Sequence, residues 1–143
     1  MSTETNVAVV RKMLDIFENA SLEQIGQVFA ANWVNHDQSL PPLQGLEGAK
    51  RLIALWSGLS KRKVTIEDSV SEGDQVAVRF RINGTHSAEF MGVPASGRLV
   101  NMSATGIFKI VDGKATDNWV NFDALGLLQQ IGAVPMPAPM PGK

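Results

Sequence analysis

Apolar positions along the first half of the chain recur at helical steps. From Asn6, residues Val7, Val10, Leu14 and Phe17 repeat at three- and four-residue intervals beside Val9 and Met13, which predicts an amphipathic helix to about Asn19. Ser21 followed by Gln24 has the form of a capping box, and Leu22, Ile25, Val28 and Phe29 extend a second helix behind it. The segment Asn32-Trp-Val-Asn-His-Asp-Gln38 is too short and polar for a helix and fits a brief edge strand or extended loop. Leu40-Pro-Pro-Leu-Gln-Gly45 is a turn, since paired prolines stop helix continuation. A third helix runs from about Leu46 to Leu59, with Ala49, Leu52, Ile53, Trp56 and Leu59 on one side.

After Leu59 the period changes to two. Strands are predicted over Lys63–Val70, Gln75–Thr85, Leu99–Val111 and Ala115–Phe122. In the second, Val76, Val78, Phe80 and Ile82 share one face and Ala77, Arg79, Arg81 and Asn83 the other. Glu72-Gly-Asp74 and Asp112-Gly113 are turn signals, and His86–Arg98, with two glycines and a proline, is a loop. A short helix follows from Asp123 through Gln130. Three helices ahead of an antiparallel meander give an α+β order, in which a curved sheet and the helices over it enclose a hollow suited to a small ligand. Residues 1–134 read as one domain and 135–143, with alternating prolines, as an extended tail.

Composition narrows the chemistry. Net charge is −1, with both signs interleaved, so no nucleic-acid footprint or polybasic membrane patch stands out. No apolar run is long enough to span a bilayer and no secretory signal is visible, which makes the cytoplasm the default compartment. Cysteine is absent, which excludes disulfides, thiolate metal sites and a cysteine nucleophile; tyrosine is absent too. There is no phosphate-binding glycine loop and no nucleophile elbow. His36 and His86 lack a paired local spacing, so neither a metal nor any other cofactor is expected.

The ordered set Asn35-His36-Asp37, Gly45-Leu-Glu-Gly48, Glu72-Gly-Asp-Gln-Val-Ala-Val-Arg79, Asn83-Gly-Thr-His86, Glu89-Phe-Met-Gly-Val-Pro94, Phe108-Lys-Ile-Val-Asp-Gly-Lys114 and Trp119-Val-Asn-Phe-Asp123-Ala-Leu-Gly-Leu-Leu-Gln-Gln-Ile-Gly132 resembles the SnoaL-like polyketide cyclase (ester cyclase) family. The resemblance implies a nuclear-transport-factor-2-like cone with a deep pocket. It also implies cofactor-free intramolecular aldol condensation, with an aspartate at the end of the last strand as acid/base. Asp123 occupies that motif position. Where the family commonly has Glu-His-Trp, this chain reads Asp117-Asn118-Trp119.

Alternation places Asp117, Trp119, Asn121 and Asp123 on one strand face. Spacing alone reads Asp123 as the cap of the helix beginning at Ala124, while the resemblance reads it as the base. Asp117 pairs with Lys109 if the hairpin register aligns them. His36 is the second candidate catalytic group; Trp33, Asn35, His86, Trp119, Asn121 and Thr105 are candidates to bind a small apolar or aromatic polyketide-like ligand. His86 equally suits a loop-bracing role. The leading expectation is a polyketide cyclase; the alternative is a non-catalytic binding domain with the same pocket. A homodimer follows if Met102, Phe108, Val120 and Phe122 lie on the outer sheet face, whereas the opposite facing makes them core.

Overall fold

The structure is a computed structural model that describes residues 2–37 and 40–136. Of the predicted tail, 137–143 lies outside the described residues. The amphipathic stripe of the first segment forms α1 (Thr3–Asn19), capped by the Ser2 hydroxyl accepting from the Thr5 amide at 3.1 Å and ended by Ala20 in the left-handed region. Its Val10, Met13, Leu14 and Ile16 are buried. The second predicted helix is reduced to a 3-10 turn (Leu22–Gln24) and the single turn α2 (Ile25–Val28). Ser21 makes no side-chain cap there. The chain is already extended at Phe29, and β1 (Phe29–Asn35) is followed by the two-residue β2 (Leu43–Gln44) and by α3 (Gly45–Leu55). Then come β3 (Leu59–Glu72), β4 (Gln75–His86), β5 (Leu99–Val111), β6 (Lys114–Phe122) and α4 (Ala124–Gln130).

The six strands lie in the order β2-β1-β6-β5-β4-β3. The expected α+β architecture holds, with one correction: the sheet is mixed. β1 pairs parallel to β6, and β2 covers its other side, so β1 is interior rather than an edge. β3 through β6 form the predicted meander, with β5 ending at the tight Asp112-Gly113 turn, where both residues have positive φ. Burial alternates along β4 and β5, so Val76, Val78, Phe80 and Ile82 face the helices beside Val100, Met102, Ala104, Phe108 and Ile110. Met102 and Phe108 are therefore core, Val120 and Phe122 pack against that core, and the outer-face argument for a dimer loses its residues. On the outer face Arg79 and Arg81 pair with Glu67 at 3.5 and 3.3 Å.

Register shifts curve the sheet. One lies in the β5–β6 hairpin: Ile110 faces Ala115, yet Lys109 faces Asp117, which leaves Thr116 as the extra residue of a bulge. Another, in β3, has Lys61 at φ 54 and sends Arg62 toward the helices. The Arg62 guanidinium donates to the carbonyls of Phe17 at 2.7 Å and Trp56 at 2.8 Å and stands 4.7 Å over the Phe17 ring. It thus joins the C-terminal ends of α1 and α3, where carbonyls lack intrahelical donors and a cation is favoured. Arg62→Met keeps the stem but removes these charge-assisted bonds, and should cost on the order of 2 kcal/mol in urea unfolding. Arg62→Lys should recover little, because one ammonium cannot span both carbonyls. Unchanged stability in both variants would refute the tie.

Candidate functional site

Between α1, α3 and the inner sheet face lies a cavity of about 80 Å³ that opens to the surface. Met13, Leu14 and Phe17 of α1 and Leu52, Ile53 and Trp56 from α3 and its end form one wall; Phe80, Ile82, Ala104, Phe108, Val120 and Phe122 form the sheet wall. A Cβ at Gly106 would come within 2.9 Å of the Phe108 ring and 3.0 Å of Val120, so glycine there lets both side chains settle. Among the described residues the polar members of the lining are Asn35, Asp37 and Asn118. They gather where β1 ends against β6: Asn35 and Asn118 are register partners, and the His36 amide donates to the Asn118 carbonyl at 2.8 Å.

The bulge at Thr116 decides which β6 residues reach this pocket. Ala115 points inward, but after the extra residue the inward set becomes Asn118, Val120 and Phe122. Asp117, Trp119 and Asn121 do share a face, as alternation predicts, but it is the outer one. Thr105 lies on that face too, opposite Arg79 and Asn121.

Asp123 is exposed. Its carboxylate accepts from the Gly126 amide at 2.9 Å and caps α4, and it does not line the pocket. A Cβ at position 126 would run into that carboxylate, so the glycine and the cap fit each other. His36 turns outward as well. Its ring stacks on Trp119 with centroids 4.7 Å apart, and its Nε2 lies 2.9 Å from Asp117 Oδ2. Asp117 does face Lys109, as the aligned register requires, but its hydrogen-bonded partner is His36.

Trp33 is fully buried, edge-to-face with Phe29, in the core rather than the pocket lining. His86, also fully buried, braces the loop after β4. Its Nδ1 accepts from the Ser96 amide at 3.1 Å, which leaves Nε2 to donate to the Val93 carbonyl at 3.2 Å. Of the predicted ligand-binding residues, Asn35 is the one the structure places in the pocket. Sequence reading missed Asn118 and Asp37. Their signal was the adjacency of Asn35-His36-Asp37 and the replacement of a family histidine at 118. Among the described residues no cluster of three potential metal ligands occurs, and no helix is long and apolar enough to cross a membrane.

A curved sheet folded over an apolar pocket, with a few amide and carboxyl groups at one end, defines a cone of the nuclear-transport-factor-2 type. The profile of the SnoaL-like polyketide cyclase family matches residues 7–131, and the chain belongs to that family. It is 24% identical over 139 residues to the aklanonic acid methyl ester cyclase DnrD of Streptomyces peucetius, covering 94% of this chain and 95% of that one. The corresponding enzyme DauD of Streptomyces sp. strain C5 is 24% identical over 137 residues, covering 93% of this chain and 84% of its own. The structure of TsrD from Streptomyces laurentii superposes with a TM-score of 0.84 at 25% identity, over 94% of this chain and 99% of that one.

The hydrogen bond from His36 holds the Asp117 carboxyl below its ordinary value. A carboxylate lowered on folding stabilises the native state above its unfolded pKa of about 3.9, and that contribution disappears as pH falls through the lower folded value. The stability difference between wild type and Asp117→Asn should therefore be full near neutrality and shrink below about pH 4 in urea melts. A difference that stays constant with pH would contradict this.

Proposed function

We propose that this chain is a cofactor-free cyclase that closes a ring in a polyketide-like ester by intramolecular aldol condensation, with Asp37 as its acid/base. The observation that carries the reading is the composition of the pocket: apolar walls, with Asn35, Asp37 and Asn118 gathered at one end. The cyclase names of the curated relatives support the substrate class. Asp37 takes the acidic proton of a 1,3-dicarbonyl unit, and the resulting enolate carbon attacks a second carbonyl of the same molecule. The new alkoxide then takes the proton back from the Asp37 carboxyl group, so nothing is gained or lost overall. The Asn35 amide donates to the oxygen on which charge develops. Apolar walls supply the other part of the rate by holding the two ends of one substrate together.

Asp123 is the acid/base candidate from sequence, and its carboxylate is engaged at the start of α4. The two carboxyls are separated by solvent-deuterium exchange at the central carbon of benzoylacetone, measured above the uncatalysed rate. Asp37→Asn should lower the exchange rate at least about 100-fold, whereas Asp123→Asn should leave it within about twofold and lose roughly 1 kcal/mol of stability with the cap. Exchange that depends on Asp123 instead would move the base to the helix cap. Binding of benzoylacetone without any accelerated exchange in the wild type would favour the non-catalytic binding domain.

A further inference from the structure

Asn35 and Asn118 stand side by side in the parallel β1–β6 pairing, on the face that lines the pocket. Both are more than nine-tenths buried, at 8% and 3% exposure. Each leaves one polar atom without a hydrogen-bond partner: Nδ2 of Asn35, a donor, and Oδ1 of Asn118, an acceptor. The two amides therefore do not satisfy each other. A buried polar group left unpaired costs about 1–3 kcal/mol, and native structures contain few. Asn6 Oδ1, Gln24 Oε1 and Trp33 Nε1 are unpartnered as well, but none of these residues lines the pocket. The two asparagines do, and they sit next to each other.

We infer that Asn35 and Asn118 form a donor–acceptor pair that selects the enol tautomer of a 1,3-dicarbonyl ligand. In that tautomer one oxygen is a carbonyl and accepts from Asn35 Nδ2. The other is a hydroxyl and donates to Asn118 Oδ1. Both oxygens lie on one edge of a planar three-carbon unit, and neighbouring strands about 4.8 Å apart present the two amides at a spacing such an edge can bridge. The diketone form offers two acceptors and leaves Asn118 Oδ1 unpaired, so the pocket discriminates by the penalty on the wrong tautomer. The inference rests on the cyclase reading and narrows its substrate to one that is enolised when bound.

The test compares benzoylacetone, which enolises between its two carbonyls, with its analogue carrying two methyl groups on the central carbon, which cannot form that enol. Dissociation constants are measured by calorimetry for the wild type, Asn35→Leu and Asn118→Leu, with thermal melts to establish folding. The wild type should prefer benzoylacetone, and Asn118→Leu should reduce that preference about tenfold. Asn35→Leu should weaken both probes by a similar factor and leave the preference intact, because both offer a carbonyl. Asn118→Ala carries the same expectation if leucine at 118 does not fold. A preference untouched by the Asn118 substitutions overturns the pairing while leaving the pocket reading in place. Failure of both probes to bind the wild type overturns the two together.

Discussion

A single extra residue in β6, Thr116, governs the chemistry of the pocket, because strand side chains alternate and one inserted residue exchanges the two faces beyond it. Without the bulge, the parity that buries Ala115 would carry Asp117, Trp119, Asn121 and Asp123 inward. With it, an amide, a valine and a phenylalanine line the sheet wall instead. The same shift brings Asp117 beside His36 on the outside and lets the stacked indole of Trp119 cover the imidazole. The bulge therefore creates the amide-lined pocket and the outer polar cluster together.

The inner wall divides into two kinds of surface. Most of it is ordinary core: aromatic rings and aliphatic side chains whose burial stabilises the fold whether or not a ligand is present. The end near Asn35 and Asn118 behaves differently, since its unpaired amide atoms oppose folding until something polar meets them. Stability is concentrated in the first surface, and the proposed specificity in the second. Arg62 contributes to that division by holding α1 and α3, which supply the opposite wall, at a fixed separation.

Much of the architecture was legible because it depends on local periodicity. The spacing of Val10, Leu14 and Phe17 marks α1, the alternation from Val76 to Ile82 marks the buried face of β4, and Asp112-Gly113 marks a hairpin whose positive φ values few other pairs tolerate. The parallel pairing of β1 with β6 was not legible, because it joins segments some eighty residues apart and β1 is short and polar at its end. Nor was the facing of β6, since nothing local at Thr116 announces a bulge. Asp123 illustrates the cost: its motif position pointed to catalysis and its spacing to a cap, and the glycine at 126 was the local clue to the cap.

His36 and Asp37 are consecutive, yet one ring lies flat against an indole in contact with water while the next side chain reaches the cavity. A single peptide unit is therefore the whole partition between exterior and interior at this rim. Whatever disturbs the outer stack, whether ionic strength, a bound macromolecule or a crystal neighbour, has a very short lever on the carboxyl group inside. Trp119, exposed beside His36 where Trp33 and Trp56 are buried, gives that rim a native fluorophore that does not itself line the cavity.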